Sequence, residues 1–250
     1  MKSEQKCTKV PRLLAMNDRF ARPLDIFIGF DPGEAVAYHV CVNSIVRHAS
    51  QPLRITPLSL GTLAPFYVEK HGDGSTEFAY SRFLVPYVCG YTGSALFIDG
   101  DMVIKDDIAK LFDEHYMDMK SAVSVVQHPE YVPNGAEKFR GAQQQAYPRK
   151  NWSSVMLFRC SNSACKKLTP EFVSKATGAQ LHQFEWVDQE RIGSLPMEWN
   201  WLVDENHCPH NPDAKLLHYT RGVPAFSDYA KCDHASDWWD EFHRMTNVDE

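Results

Sequence analysis

Asp99 and Asp101 stand one residue apart in the run Ala95-Leu96-Phe97-Ile98-Asp99-Gly100-Asp101-Met102-Val103-Ile104. If the apolar part of the run is a buried strand, the pair lies at its carboxyl end, where open α/β sheets bind ligands. Residues i and i+2 of an extended chain point the same way, and Gly100 leaves room between the two carboxylates. Two like charges held together at a buried edge call for a cation. Oxygen ligands of this kind suit Mg²⁺ or Mn²⁺, typically shared with substrate phosphates. A solvated turn after a strand is the alternative reading of the same residues.

The elements that would position this pair alternate along the first 130 residues. Leu24 to Phe30 reads as a buried strand. Asp31 then caps a helix that has Pro32 at its first position and an apolar face through Val36, Val40, Ile45 and Val46. A second strand is expected over 53–60, a loop over 63–76 with a turn at Gly72–Ser75, and a helix over 78–88. The strand bearing the Asp pair follows, then a short helix over 108–112 and a strand over 121–127. Residues 135–147 are polar and Gln-rich and read as a helix or flap. A strand over 154–158 and a helix over 162–175 come next, and the Trp-, His- and Pro-rich last quarter offers few clear elements. This alternation predicts an α/β fold with a mostly parallel central sheet and helices on both faces.

Composition narrows the function classes. The chain has 250 residues, 44% hydrophobic and 23% charged, with a formal net charge of −6. It is long enough to bury roughly 70–75% of its unfolded surface, so folding requires neither disulfide nor metal. The acidic balance and the lack of a Lys/Arg-rich run disfavour nucleic acid as a partner. The seven scattered cysteines, with no signal peptide, point to a reducing, cytoplasmic setting. No run approaches the ~18 apolar residues that would span a bilayer. Residues 1–22 are expected to form a loose N-terminal extension ahead of one catalytic domain over 23–250.

Four further segments surround the Asp pair in order. They are Ser81-Arg82-Phe83-Leu84-Val85-Pro86, Val187-Asp188-Gln189, Leu195-Pro196-Met197-Glu198-Trp199-Asn200, and Leu216-Leu217-His218-Tyr219-Thr220-Arg221-Gly222-Val223-Pro224. Together with Asp99-Gly100-Asp101, this set resembles the glycogenin and lipopolysaccharide galactosyltransferase family of retaining nucleotide-sugar glycosyltransferases, over roughly residues 24–226. The resemblance implies the GT-A fold and a UDP-sugar donor. It implies that Asp99, Asp101 and His218 hold a divalent metal on the donor diphosphate, Mn²⁺ before Mg²⁺ because imidazole softens the ligand set. Gly222 would allow the backbone to approach phosphate, with Arg221 adding a cation. Arg82 would contact the donor, and Asp31 would contact uracil or ribose; a surface Arg and a plain helix cap are the competing readings. Asp188 and Gln189 would stand near the anomeric carbon, and Trp186, Trp199 and Trp201 suggest a sugar platform, with core packing as the alternative. One departure from the family pattern is Asn151-Trp152-Ser153-Ser154, where Ser154 replaces a glycine.

Departure of a nucleoside diphosphate leaves negative charge that a divalent cation stabilises, while the sugar becomes oxocarbenium-like. The resemblance implies retention, with the departing phosphate taking the acceptor proton; Asp188, Glu185 and Glu190 are the candidate bases if the outcome is inversion. The acceptor (glycan, lipid-linked or protein) depends on loops such as 135–150, a candidate lid. Three rival readings exist. In a haloacid-dehalogenase-type phosphatase, Asp99 would be the nucleophile. A degenerate transferase fold would bind sugar nucleotide or glycan without turnover. A structural zinc site would draw on His207, Cys208, His210, Cys232 and His234.

Overall fold

A computed structural model describes residues 22–72, 74–117, 119–132 and 148–246, for 114–117 the backbone alone. The expected N-terminal extension and the Gln-rich segment 135–147 lie outside the described residues.

The chain runs through β1 (Leu24–Gly29), α1 (Ala35–His48), β2 (Leu53–Leu58), the single turn α2 (Leu60–Leu63), α3 (Val85–Val88), β3 (Ala95–Ile98), β4 (Met102–Ile104), α4 (Ala109–Met117), β5 (Val123–Val126) and β6 (Val155–Phe158). It continues with α5 (Pro170–Lys175), α6 (Gly178–His182), β7 (Ile192–Leu195), β8 (Trp201–Leu202), β9 (Leu216–His218) and α7 (Ala235–Thr246). Six strands form the main sheet in the order β2-β1-β3-β6-β5-β7. All point one way except β6, which runs antiparallel to both its neighbours, β3 and β5. The mostly parallel sheet is therefore as expected. A second sheet, β4-β9-β8, leaves the first where β3 ends.

Alternation along the strands builds a core on each face. Ala95 and Phe97 of β3 join Met156 and Phe158 of β6 on one face, beneath the 78–85 segment and Val173 of α5. Leu96 and Ile98 join Val155 and Leu157 on the other, beneath α1 and α4. Burial on both faces explains why these strands read as continuous apolar runs. A third apolar cluster lies between the small sheet, α1 and α7, around Val40, Leu217, Tyr219 and Trp238.

Two expected helices are broken. The 78–88 helix is a 3-10 segment, Ser81–Leu84, followed by the one turn of α3, because Pro86 has no N–H to give and restricts the residue before it. The 162–175 helix is a 3-10 segment, Ser163–Lys167, and a separate α5 whose cap Thr169 accepts from the Phe172 N–H at 3.1 Å ahead of Pro170. In the last quarter, β8, β9 and α7 are more regular than the sequence suggested. α7 lies against α1, where Glu241 takes the Arg47 guanidinium at 2.8 Å and accepts from Asn43 Nδ2 at 3.1 Å. The small sheet is tied to α1 by Ser44, whose buried hydroxyl accepts from the Ile104 N–H at 2.9 Å and donates to the Cys41 carbonyl at 2.8 Å. No helix among the described residues is long and apolar enough to cross a membrane.

Candidate active site

The Asp pair lies where the two sheets separate: Asp99 follows β3 and Asp101 precedes β4. Antiparallel pairing sets Met102 opposite His218, and the Tyr219 N–H donates to the Asp101 carbonyl at 3.0 Å. This register brings residues 117 positions apart in sequence into contact. His218 Nε2 stands 3.4 Å from Asp101 Oδ1 and 3.7 Å from Asp99 Oδ2. The ligand atoms of all three lie within 4.8 Å of one another, a spacing that a single cation can bridge. Two carboxylates and an imidazole are a donor set that fits a divalent metal, Mn²⁺ included.

Asp99 and His218 are each held from behind. The guanidinium of Arg82, buried between the Phe78 and Phe97 rings at 5.3 and 5.0 Å, pairs with Asp99 Oδ1 at 2.8 Å. It also donates from Nη1 to the Ser153 carbonyl at 3.0 Å and from Nε to the Phe78 carbonyl at 3.2 Å. The surface reading of Arg82 is excluded by this burial. On the other side, fully buried Asn200 takes His218 Nδ1 on its Oδ1 at 3.0 Å. Asn200 Nδ2 donates to the Asn151 carbonyl at 3.1 Å and to Ser154 Oγ at 2.9 Å. With a proton on Nδ1, the Nε2 lone pair of His218 faces the carboxylates, as a metal ligand requires. Ser154, the residue that departs from the family glycine, is thus part of the brace.

Glycine at position 100 serves a different contact from the one expected. A Cβ there would meet the Gly29 carbonyl oxygen at 2.5 Å, so its absence lets the Asp turn nest on the end of β1. Beneath the turn, burial and the neighbouring Asp101 carboxylate push the Cys41 thiol up.

The cleft above these residues has a volume of about 670 Å³ and is lined by Arg82, Asp99, Asp101, His218, Arg221 and Gly222 among others. It is the size of an ordinary small-molecule site. Gly222 adopts φ +153°, and a Cβ there would come within 2.3 Å of the Tyr229 ring. Polar groups in the lining that the sequence did not single out include Glu34, Lys150 and His182. His182 Nδ1 lies 2.7 Å from Ser153 Oγ, at the end of α6. None of the three carries a motif of its own.

Other expected residues lie elsewhere. Asp31 is buried and takes backbone N–H groups on both oxygens, from Gly33 at 2.8 Å and Glu77 at 3.4 Å, and so caps the turn into α1. Asp188 is 73% exposed and 3.8 Å from Arg191, and Gln189 contacts Arg149; neither lines the cleft. Glu185 and Glu190 are exposed as well. The tryptophans form no platform. Trp186 and Trp199 are buried in the core because their large apolar surface covers the sheet, and Trp201 packs on the third apolar cluster with its Nε1 donating to the Pro209 carbonyl at 2.9 Å. The five residues considered for zinc do not converge. Among the described residues, His207 and Cys208 group with His128, and His210 and His234 with Asp233. The six described cysteines are free thiols.

No protein-family model matches the chain. Among solved structures it is similar to the bifunctional glycosyltransferase WbbM, with a TM-score of 0.64 and 16% identity over 91% of this chain, which spans only 51% of the WbbM chain. It is also similar to the galactosyltransferase LgtC, solved with donor and acceptor sugar analogs, with a TM-score of 0.52 and 13% identity over 91% of this chain and 98% of that one. A third similarity, with a TM-score of 0.55 and 14% identity, is to GlyE of Streptococcus pneumoniae, 60% of which is covered. These likenesses establish the GT-A fold. Protein CDI of Arabidopsis thaliana is 42% identical over 226 residues, which are 88% of this chain and 86% of that protein. The chain therefore belongs to the family of Protein CDI, built on the GT-A fold.

Proposed function

We propose that the chain is a metal-dependent glycosyltransferase that moves a hexose from a UDP-sugar to an acceptor hydroxyl with retention, as in the glycogenin and lipopolysaccharide galactosyltransferase family. The observation that carries this reading is the convergence of Asp99, Asp101 and His218 beside buried Arg82 in one cleft. The likeness in fold to the glycosyltransferases WbbM, LgtC and GlyE supports it. The phosphatase alternative is not favoured: Asp99 has one oxygen in an ion pair with Arg82 and the other facing His218, an arrangement for holding a cation.

Asp99, Asp101 and His218 would hold the metal, Mn²⁺ in preference to Mg²⁺. When bound, it would neutralise charge on the departing diphosphate. Arg82 fixes the Asp99 carboxylate, and Asn200 fixes the imidazole tautomer. Arg221 and Lys150 add positive charge to the lining, placed to attract a diphosphate. Gly100 keeps the Asp turn against β1, and Gly222 lets the Tyr229 ring pack against the backbone of the cleft wall. Asp31, Asp188 and Gln189 lie outside the cleft lining, and only the family resemblance assigns the first to the uridine and the other two to the anomeric carbon. The C1–O bond to phosphate breaks as the C1–O bond to acceptor forms on the same face, and the acceptor proton passes to the departing phosphate oxygen. The acceptor class is a glycan, a lipid-linked sugar or a protein.

The test is a thermal-shift panel of UDP-glucose, UDP-galactose and UDP-N-acetyl sugars with and without Mn²⁺, followed by turnover of the donor that stabilises most. Binding to the native state raises the midpoint by mass action. An Mn²⁺-dependent shift with one UDP-sugar is expected. No shift with any of them would overturn the reading, and an inverted product anomer would overturn retention alone.

A further inference from the structure

The geometry points to a second metal centre, a zinc site formed by His128, His207 and Cys208, none of which lines the cleft. His128 follows β5, and His207 and Cys208 sit on the turn after β8, so the three ligands are supplied by segments 79 residues apart. Their ligand atoms lie within 4.8 Å of one another. His128 and Cys208 are each only 3% exposed.

Two features of the pair suit an ion. His207 Nε2 and His128 Nδ1 face each other at 3.4 Å. Two imidazoles on one tetrahedral zinc, with Zn–N of about 2.0–2.1 Å, place their nitrogens about 3.3–3.4 Å apart. The rings are nearly perpendicular, at 80°, so each can direct a lone pair to one point without stacking.

Ligation would take Cys208 as the thiolate, its proton passing to solvent as the Zn–S bond forms. Nitrogen and sulfur donors of this kind select zinc over Mg²⁺ or Mn²⁺. Three protein ligands leave the fourth position to water. The group His210–Asp233–His234 offers no such site. His234 Nδ1 is taken by Asp237 at 2.9 Å, its Nε2 by the Asn211 N–H at 3.4 Å, and His210 by Asp233 at 2.7 Å.

The test uses Co²⁺ as a coloured zinc substitute on the full, chelator-treated chain. One equivalent of Co²⁺ is expected to produce a thiolate-to-cobalt charge-transfer band and the intense visible bands of a tetrahedral centre, and Zn²⁺ should displace it. Asp101→Asn should leave both bands unchanged, because the Asp99–Asp101–His218 set has no sulfur. Cys208→Ser should abolish the charge-transfer band. His207→Gln, at a half-buried turn position and so less dependent on core packing, should weaken Co²⁺ binding by about tenfold or more. Absence of the thiolate band in the native chain, or its survival in Cys208→Ser, would overturn the assignment. If Cys208→Ser fails to fold, unchanged Co²⁺ affinity in His207→Gln would overturn it equally. None of these readouts depends on a sugar nucleotide.

Discussion

The main sheet and the small sheet treat polar side chains in opposite ways. The central strands β3, β5 and β6 present a single polar residue, Ser124, among twelve positions. The small sheet and its approaches bury His218, Asn200 and, through Tyr219 and Leu217, a share of apolar surface as well. The first arrangement makes a rigid apolar wall whose stability is spread over many contacts. The second places a few hydrogen-bonded groups at fixed orientations, where the loss of one partner leaves another unsatisfied. Damage to the wall should therefore register as lost stability, whereas damage to the small sheet should register first as lost ligand binding.

The largest expected effect is on the wall. Phe97→Ala, in the fully buried centre of β3 and beneath Arg82, should cost about 3–5 kcal/mol in a denaturant melt. Next, Asp101→Asn should lower sugar-nucleotide turnover by about 10²–10³-fold while leaving the melting point without metal unchanged or raised, since it removes one of two neighbouring like charges. A destabilisation comparable to that of Phe97→Ala would erase the distinction between the sheets. Asn200→Ala should weaken Mn²⁺ binding by about 10–100-fold, as measured by titration calorimetry, because His218 loses the group that fixes its Nδ1 proton. Unchanged affinity would mean that the backbone alone orients the imidazole.

The smallest effect is a pH dependence at the outer edge of the small sheet. Asp237 of α7 is held down to about 2 by its hydrogen bond with His234 and by Lys105 at 2.7 Å. Its folded value lies below the unfolded one, so its contribution is complete above about 3.8 and is lost as the pH falls through about 2. With its carboxylate partly exposed, that contribution is roughly 1–2 kcal/mol. Asp237→Asn should flatten the acid side of the stability profile by that amount, and an unchanged profile would show that α7 is held by Glu241 and its apolar face without Asp237.

Legibility followed the same division. β1, β3, β5 and β6 were readable because burial on both faces leaves nearly continuous apolar runs, and α1 was readable from its cap and its apolar stripe. The Asp pair was found from its place at a strand end. His218 became visible only through the family resemblance, because its role depends on the register of a three-residue strand. Asn200 lay inside a quoted motif, yet its function depends on partners at 151, 154 and 218 that spacing does not reveal. Trp186 and Trp199 misled because aromatic residues near polar motifs suit a sugar and a core equally well. α7 was missed although Trp238, Phe242 and Met245 recur at helical spacing. His128 carried no signal at all, since a lone histidine after a strand has many uses.

The nested glycines beneath the Asp turn limit how this site can vary. A side chain at Gly100 would strike the Gly29 carbonyl, and one at Gly29 would strike the Phe78 ring at 2.4 Å. That ring is one of the two that bracket the Arg82 guanidinium. Any enlargement at the turn must then be absorbed in sequence by a strand end, an aromatic ring and the cation on Asp99. A library randomised at position 100 alone should yield almost no active variants, and rescue should come only from pairs or triples that also change position 29 or 78. The Asp turn and the Phe78 ring therefore behave, genetically, as one site.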